Sequence, residues 1–441
     1  MLLPFAQDWD ALGFARVVPR PEYSRAGFDL CMFPGNLRAL WFDPEGFAAR
    51  LAARFEGSVD AVVSHHEHFG TYTAALIAQA LGLPGTAPAA ILACQHKLWC
   101  RQVLDRVAPE ANPPYRLLPA SPAALADVDL PLPWFVKPVR GTFSILARRI
   151  DRLAELHAHR RLGWLERRLV GALVRSFDRA TRARLGTDVG AFHLLAEPLC
   201  AWPQFNLDGY MFAGRAHALG VTDELMYPGT QTFVAFAHPS RLPAAVQARA
   251  LDLAERFLSA VGFTHGLFNF EFFHDPVSDA IRAIEFNPRL GSQLADLYER
   301  VNGIDPYAIS VELALGRDPA RLPRTRARGG AAASFVFRTF DGRTPPPPST
   351  EARARLAATF PDAILFAFPT RGHAVRSELR WLLSHRYGAL NLHGDDEADL
   401  DRRYATACAI LGWPKQPRPA RTAAQDLPMN SSRSTRSCSS P

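Results

Sequence analysis

The sequence predicts an α/β protein that begins with a small open parallel α/β domain and continues into a larger mixed region. Residues 1–92 alternate strand-like and helix-like segments, which is typical of parallel α/β units. From about residue 93 the strands become longer, and residues 265–288 have the pattern of a β-hairpin. The 441 residues, 48% of them apolar, suffice for two to four folded domains and argue against a fibrous or disordered chain.

The N-terminal region supplies a strand, loop and helix in order. DAVVSHHEHFG at 60–70 is a short apolar strand that opens into a polar loop, and TYTAALIAQALGLPG after it is an amphipathic helix ended by glycine and proline. Ligands of open α/β sheets meet the loops at the carboxyl ends of strands. We expect the loop around His66 to border a substrate, because four adjacent residues do not converge on one metal ion.

The remaining elements follow from shifts in composition. In order, the chain shows a helix carrying Lys97, a proline-rich joint, the strand segment WFVKPVRGTFSILARRI, Arg-rich helices, the strand segment HLLAEPLCAWPQFNLDGYMFAG, a helix at 243–261 and the hairpin. TPPPPST at 344–350 precedes a last α/β stretch that ends near Trp413. Residues 416–441 lack Ile, Val, Phe, Tyr and Trp, and we predict that this tail is disordered.

The basic residues are distributed unevenly. Of 50, 47 are arginine, and the three lysines are Lys97, Lys137 and Lys415; such a bias suggests that a retained lysine needs a compact ammonium. The net charge of +7 equals that of residues 148–184, which contain eleven arginines and four acidic residues. These predicted amphipathic helices present either a solvated face or a patch for an acidic partner. Zinc spacing, a recognition-helix pattern and an aromatic RNA-binding signature are missing, which argues against nucleic acid as a partner.

The cysteines and the N-terminus bear on localisation. Six cysteines lack paired spacing, so we expect reduced thiols. MLLPFAQDWD has no basic n-region and is not a signal peptide. Because no apolar stretch is long enough to cross a bilayer, we predict a soluble cytoplasmic protein without a membrane partner.

The hairpin is the most informative segment. Since side chains alternate along strands, one face of the first strand carries Leu267, Asn269, Glu271 and Phe273, and one face of the second carries Ile281, Ala283, Glu285 and Asn287. A turn centred near Ser278 places Glu271 opposite Glu285 and Asn269 opposite Asn287. Facing carboxylates repel unless a hard divalent cation lies between them. The alternative, an edge hairpin with both glutamates in water, is disfavoured by the phenylalanines on the opposite face.

With this hairpin, the sequence resembles the ATP-grasp superfamily, in particular carboxylate–amine ligases of the D-alanine–D-alanine ligase, biotin carboxylase and L-amino acid ligase type. The resemblance covers roughly residues 60–320. Members carry a Glu and then a Glu-x-Asn-x-Arg run. The resemblance implies ATP with Mg²⁺ or Mn²⁺, with Glu271, Glu285 and Asn287 as metal ligands and Arg289 at the reactive end. It also implies an ATP-grasp fold with these parts: an N-terminal α/β domain at 1–92, an ATP-grasp domain at 93–325 with a lid at roughly 130–200, and a C-terminal α/β extension at 326–415 before the tail.

The nucleotide residues are carried over from the same resemblance. ATP-grasp ligases bring two lysines to the phosphates, and Lys97 and Lys137 occupy those places, with Lys137 and Arg289 as the catalytic pair. The further contacts implied are Gly141, Thr142 and Ser144 in a flap over the phosphates, Glu197 and Leu199 at adenine, and Gln204 at the ribose. The flap RGTFS is less glycine-rich than its counterparts in the family.

The implied reaction is an ADP-forming ligation of a small-molecule carboxylate to an amine through an acyl phosphate. Candidate substrate contacts are Asp208, Asn269, Arg289, Gly291, Ser292 and His66. Candidate general bases are Asp208, His265 and His66, on position alone. Two alternatives stay open, a biotin-carboxylase-like subunit that activates bicarbonate and a non-catalytic ATP-binding regulatory protein; a homodimer is also left open.

Overall fold

The computed structural model describes residues 1–28, 38, 40–119, 121, 123–141, 147–159, 164–324, 327, 329–368 and 384–417, without the side chains at 157–170, 172 and 173. The α-helices in this part of the chain are α1 (Asp8–Phe14), α2 (Pro44–Phe55), α3 (Gly70–Leu81), α4 (Pro88–Gln95), α5 (Lys97–Val107), α6 (Leu153–His159), α7 (Trp164–Leu185), α8 (Ala244–Ala260), α9 (Ala295–Asn302), α10 (Pro306–Ala314), α11 (Thr350–Thr359) and α12 (Glu397–Leu411). None of these described helices combines the length and the apolar composition needed to cross a membrane.

The strands of the described residues belong to three sheets. They are β1 (Leu2–Pro4), β2 (Ser24–Ala26), β3 (Arg116–Leu117), β4 (Trp134–Pro138), β5 (Arg148–Ile150), β6 (Leu194–Pro198), β7 (Gln204–Phe212), β8 (Arg215–Met226), β9 (Phe233–His238), β10 (Gly266–His274), β11 (Ile281–Asn287), β12 (Ala331–Thr339), β13 (Ile364–Ala367) and β14 (His385–Gly394). Their orders are β1-β2, β3-β6-β4-β5 and β11-β10-β7-β8-β9-β12-β14-β13.

The N-terminal unit is parallel, as predicted. β1 pairs in parallel with β2, and Leu2 forms a parallel bridge with Val62. The polar loop follows that bridge and leads into α3. Gly82 ends α3 in the left-handed conformation at φ +66°, with its N–H bonded to the carbonyls of the last turn, which glycine adopts without a Cβ penalty.

The four-stranded sheet is antiparallel and carries two of the predicted nucleotide residues. Lys137 on β4 pairs in register with Leu195 of β6, and Glu197 on β6 pairs with Phe135. Its core is apolar, with Trp134, Val136, Ile150, Leu156 and Leu194 buried together. The predicted Arg-rich helices are α6 and α7, preceded by the short strand β5.

The eight-stranded sheet is antiparallel and separates two cores. On one face, phenylalanines of β10 and β11 pack with Phe257 of α8 and Leu104 of α5. On the other face, Leu267 and Tyr210 pack with Tyr298 of α9 and Leu313 of α10. β12 pairs with β9, so the chain after residue 330 continues the same sheet.

The β10–β11 register agrees with the sequence prediction except at one bulge. Glu271 pairs with Glu285 and Asn269 with Asn287. The register shifts after Glu271, so that Phe272 pairs with Ala283. Ile281 and Ala283 therefore pack in the phenylalanine core, and their predicted placement on the carboxylate face is wrong. A bulge inserts an unpaired residue and reverses the alternation beyond it.

The C-terminal part of the described chain packs against β12 and β14. Trp413, Tyr404 and Phe337 are buried in one cluster. Gln416, which falls in the predicted tail, is instead buried, and its amide donates to Tyr387 at 3.1 Å. Residues 418–441 lie outside the described residues, as do Cys31 and Cys438. The four cysteines that the structure describes are free thiols.

Candidate active site

Polar side chains cover one face of β8, β7, β10 and β11 in rows that the strand registers define. One row consists of Thr222, Asn206, Glu271 and Glu285, and the next consists of Gly220, Asp208, Asn269 and Asn287. Residues two apart on a strand share a face, so Gln204 and Glu224, which pair with each other, extend the face by a third row. The sheet thus unites residues that are far apart in the sequence.

The predicted metal ligands are brought together. Asn287 Nδ2 donates to Glu271 Oε1 at 3.2 Å and to Asn269 Oδ1 at 3.1 Å. Glu285 is the directly opposed partner of Glu271, and Gln204 Nε2 lies 3.4 Å from Glu271 Oε2. Within the described residues no three His, Cys, Asp or Glu side chains are grouped as a metal cluster, so the candidate set is two carboxylates and one amide.

Two carboxyl groups at this face have raised pKa values, which bears on whether a divalent cation fits there. Burial, then the charges of Glu285 and Glu224, raise the pKa of Glu271 well above its ordinary value. Burial also raises the pKa of Glu224 to about 8, and Asn206 Nδ2 donates to it at 3.3 Å. Each carboxylate thus makes ionisation of the others costlier. Mg²⁺ prefers carboxylate and amide oxygens and would relieve this repulsion, so these residues fit the ion.

Lys97 approaches this face from the start of α5. His96 caps the helix, accepting the Trp99 N–H at 3.0 Å, and the Lys97 N–H donates to the carbonyl of Val139, just after β4, at 2.9 Å. Lys97 Nζ lies 2.9 Å from Glu285 Oε2. Although burial raises the pKa of Glu285, the Lys97 ammonium outweighs it and lowers that pKa to about 2.

Lys137 lies close to Lys97 and also has a carboxylate partner. Its Nζ is 2.9 Å from Glu197 Oε2. Burial lowers the pKa of Lys137 to about 8, opposed by Glu197 and reinforced by the positive charges of Arg101 and Lys97. The two ammonium groups lie close enough for the charge of Lys97 to lower the pKa of Lys137, so together they create a region of positive potential.

The predicted adenine segment has fewer free groups than expected. Glu197 Oε1 accepts from Arg101 Nε at 2.7 Å while its other oxygen accepts from Lys137. The N–H of Leu199 donates to the carbonyl of Pro133 at 3.1 Å, which leaves its carbonyl for a nucleotide. Gly141 is described, and its carbonyl lies 3.4 Å from Lys97 Nζ. The predicted flap residues Thr142 and Ser144 lie outside the described residues.

The predicted substrate residues separate into two groups. Arg289 forms an ion pair with Glu67 at 2.8 Å. His66 lies in the same loop as Glu67. Its Nδ1 is buried and has no hydrogen-bond partner among the described residues, and burial lowers the pKa of the ring. His265 lies elsewhere, with a ring nitrogen 2.6 Å from the carbonyl of Leu313.

The second group lies under α9 and the loop after β11. Asp208 is fully buried and accepts from Tyr298 Oη at 2.7 Å, from the Gly291 N–H at 2.8 Å and from Asn269 at 3.1 Å. The N–H of Gly291, a predicted substrate contact, therefore binds the chain's own carboxylate. A Cβ at Gly291 would lie 2.9 Å from Asp208 Oδ2. Ser292 Oγ donates to Asp10 at 2.8 Å. We now interpret Asp208, Gly291 and Ser292 as residues that hold the loop after β11.

Several residues of the site were not predicted from the sequence. They are Glu67, Arg101, Arg140, Asn206 and Glu224. Arg101 stands four residues after Lys97, and Asn206 lies between Gln204 and Asp208 on one strand face, so helical and strand periodicity could have indicated both. Glu224 and Arg140 carry no local signal, because only the packing of other elements brings them to the site.

Known proteins resemble this chain in sequence and in structure. No family model matches the chain. The sequence is 30% identical to carnosine synthase 1 of Gallus gallus over 295 residues, which is 64% of this chain and 30% of that protein. The chain therefore spans about a third of the length of that curated relative.

Two solved structures share nearly the whole fold. The L-amino acid ligase from Bacillus licheniformis has a TM-score of 0.62 at 16% identity, covering 93% of this chain and 96% of that chain. N5-carboxyaminoimidazole synthase from Aspergillus clavatus, solved in complex with ADP and 5-aminoimidazole ribonucleotide, has a TM-score of 0.62 at 14% identity, covering 93% and 98%. This likeness confirms that the chain has the ATP-grasp fold.

Proposed function

We propose that the protein is an ADP-forming ligase that activates a small-molecule carboxylate as an acyl phosphate and joins it to an amine. One observation carries the proposal: buried Lys137 and partly buried Lys97 pair with carboxylates beside a sheet face that holds a directly opposed pair of glutamates. Lysines suit triphosphate oxygens, and the glutamates suit the divalent cation that accompanies them.

The chain's own residues prepare the nucleotide site. Lys97 and Lys137 are held by Glu285 and Glu197, so ATP would take over both ammonium groups from carboxylates. The carbonyl of Leu199 is left as an acceptor for the adenine amine. Glu271, Glu285 and Asn287 would hold Mg²⁺, which when bound neutralises phosphate charge and aligns the phosphate oxygens.

The chemistry requires little covalent work from side chains. Arg289 would orient the substrate carboxylate, one oxygen of which attacks the γ-phosphorus while the bond to the ADP oxygen breaks and its electron pair stays with ADP. The amine nitrogen then attacks the acyl carbon, phosphate leaves, and the amine loses a proton. His66 is our candidate base, since within the described part of the chain its Nδ1 has no hydrogen-bond partner and its lowered pKa keeps the ring neutral near pH 7.

The relatives support an amide-forming reaction. An L-amino acid ligase covers nearly the whole chain in structure, and a carnosine synthase matches over 64% of the sequence. The name of the first describes an enzyme that acts on amino acids. We therefore expect amino acids, or similar acids, among the substrates.

The test is ADP release from ATP and Mg²⁺ during incubation with pooled acids and amines, with mass spectrometry of the products. Glu285→Gln should lower ADP release by at least about 100-fold, because a metal ligand is worth several kcal/mol in such a transition state. Glu110→Gln, at an exposed carboxylate paired with Arg256, is the matched control and should retain activity.

Other outcomes would contradict the proposal. Nucleotide binding without ADP release under every substrate mixture would indicate a regulatory protein. ADP release that depends on bicarbonate and biotin would indicate a carboxylase subunit. Full turnover by Glu285→Gln would remove the proposed metal site.

A further inference from the structure

Arg140 follows strand β4 closely, and its guanidinium is buried. Among the described residues it contacts no carboxylate. It donates instead to three neutral oxygens: Oε1 of Gln95, the carbonyl of Glu67 at 3.4 Å and the carbonyl of His68 at 2.6 Å. The ring of Phe177 on α7 lies 4.2 Å from the guanidinium carbon. Buried charges are usually paired, so a cation whose partners are all neutral indicates a specific role.

The charge of Arg140 is balanced only at a distance. Burial lowers the pKa of Arg140 to about 10, and the carboxylates of Glu67 and Asp178 oppose that shift. Glu67 forms its ion pair with Arg289 at 2.8 Å, and its charge also raises the pKa of Lys97. Glu67 therefore serves three cations, and Arg140 contacts this residue through its backbone alone.

The contacts of Arg140 connect the strand of Lys137 to the loop at residues 65–69. Lys137, three residues earlier in the chain, belongs to the proposed nucleotide site. The loop is held from a second side, because Gln95 Nε2 donates to the Glu67 carbonyl at 2.7 Å and to Thr71 Oγ1 at 3.2 Å. The loop's position relative to the nucleotide site thus depends on one short segment, which ends at Arg140.

We propose that Arg140 is a positioning residue, whose guanidinium fixes the loop at 65–69 against β4 and thereby sets where Glu67 and Arg289 lie relative to the phosphates. The inference rests on the proposed function and adds a residue that touches neither substrate nor nucleotide. A misplacement of about 1 Å can lower a rate about 100-fold, so the loss of Arg140 should appear in kcat and not in ATP affinity. Lysine keeps the charge but lacks the planar fork that spans these three oxygens.

The first test is hydrogen–deuterium exchange of the free protein, measured by mass spectrometry, which needs no substrate. In Arg140→Ala and Arg140→Lys, the amides of residues 64–71 should exchange at least about tenfold faster than in the wild type, because hydrogen bonds from a charged donor to this loop are lost. The amides of α8 should keep their wild-type rates. Equal acceleration at α8 would show a loss of global stability alone and would overturn the inference. Unchanged exchange at 64–71 would also overturn it, and Arg140→Lys decides if Arg140→Ala does not fold.

The second test separates turnover from ATP affinity. In both variants kcat for ADP release from pooled acids and amines should fall about 10- to 100-fold, while the Kd for ATP from calorimetry changes by less than about threefold. Arg182→Ala, at an exposed arginine of α7 paired with Asp188, is the matched control and should retain both values.

Two outcomes of this second test would overturn the inference and leave the proposed function intact. A parallel loss of ATP affinity would assign Arg140 to the nucleotide site. An unchanged kcat would show that the reaction does not depend on how the loop is held. Absence of ADP release from the wild type would overturn the proposed function and, with it, the role of Arg140 in the reaction.

Discussion

Two of the three lysines in this chain pair with carboxylates, and their environments differ: Lys137 is buried, whereas Lys97 is partly exposed. Glu285 beside Lys97 raises the pKa of Lys97 despite burial, whereas burial lowers the pKa of Lys137 to about 8. Lys97 is therefore a permanent cation at neutral pH, and Lys137 is the group that responds to alkaline pH. Arginine titrates too high to show such behaviour.

The lowered pKa of Lys137 predicts how ATP binding depends on pH. ATP favours the charged ammonium of Lys137, so the pKa of Lys137 rises in the complex. At a pH above the pKa that Lys137 has in the free protein, ATP binding is therefore accompanied by uptake of a proton. The Kd for ATP should therefore increase about tenfold per pH unit above about pH 8. Titration calorimetry from pH 6 to 10 measures this. Lys137→Arg should bind more weakly but without the alkaline dependence; a parallel pH profile in the variant would assign the effect to another group.

The Lys97–Glu285 ion pair predicts that metal binding depends on nucleotide. In the free protein Lys97 Nζ lies 2.9 Å from Glu285 Oε2. A divalent cation must therefore compete with the Lys97 ammonium for Glu285, unless a phosphate of the nucleotide binds that ammonium instead. Lys97→Ala should increase Mn²⁺ affinity in the absence of nucleotide by about tenfold, or ~1.4 kcal/mol, while weakening ATP binding. Electron paramagnetic resonance of free Mn²⁺ gives both affinities. Lys415→Ala, at an exposed lysine, should change neither; unchanged Mn²⁺ affinity in Lys97→Ala would contradict the competition.

At the scale of elements, α5 connects the two sheets that carry the proposed nucleotide site. Lys97 reaches β11 from its first turn. Arg101, one turn later, contacts β6 through Glu197 and β11 through the carbonyl of Ile284 at 2.9 Å. Ile284 is the residue left unpaired by the bulge after Glu271. The bulge thus exposes a carbonyl of β11 that Arg101 links to Glu197 on β6.

Removing Arg101 should therefore destabilise the whole site. Arg101 is 2% exposed, and Arg101→Met leaves one oxygen of buried Glu197 and the Ile284 carbonyl without their donors. Breaking a buried pair from one side costs about 3–5 kcal/mol, so the free energy of unfolding in urea should fall by about that amount. Arg106→Met, on the exposed side of the same helix, should change it by less than about 0.5 kcal/mol. Equal stability of both variants would show that the tie is dispensable.

At the scale of the whole molecule, the eight-stranded sheet crosses the domain boundary predicted at residue 325. β12 pairs with β9 from Ala332↔His238 to Phe335↔Ala235. The core beneath them joins Leu225 and Val234 to Tyr404 and Trp413. The region after residue 330 therefore completes a sheet that begins in the grasp domain and does not form a separate core.

This continuity predicts the outcome of two truncations. A fragment of residues 1–325 would expose the edge of β9 and an apolar face, so it should aggregate or remain unfolded. A fragment of residues 1–417 keeps Gln416 and its bonds to Tyr227 and Tyr387, and should match the full chain in thermal unfolding and in ADP release. Size-exclusion chromatography and circular dichroism distinguish these outcomes. A stable, monomeric 1–325 fragment would support residue 325 as a domain boundary.

Local pattern was sufficient for much of this protein. The alternation of polar and apolar residues placed Glu271 opposite Glu285 and Asn269 opposite Asn287, because strand periodicity and turn length set register. The scarcity of lysine singled out Lys97 and Lys137, because an ammonium does what a guanidinium does not. The resemblance built on these residues also agrees with the fold, which the solved ligases share.

The tertiary structure decided the rest, since it depends on contacts between distant segments. The bulge that returns Ala283 to the core, the closure of Asp208 by Tyr298, and the pairing of Glu67 with Arg289 across 222 positions all leave no periodic trace in the sequence. A carboxylate has the same letter whether it holds a loop, a metal ion or a substrate. Its burial and its neighbours determine which, and only the packed sheets and helices supply them.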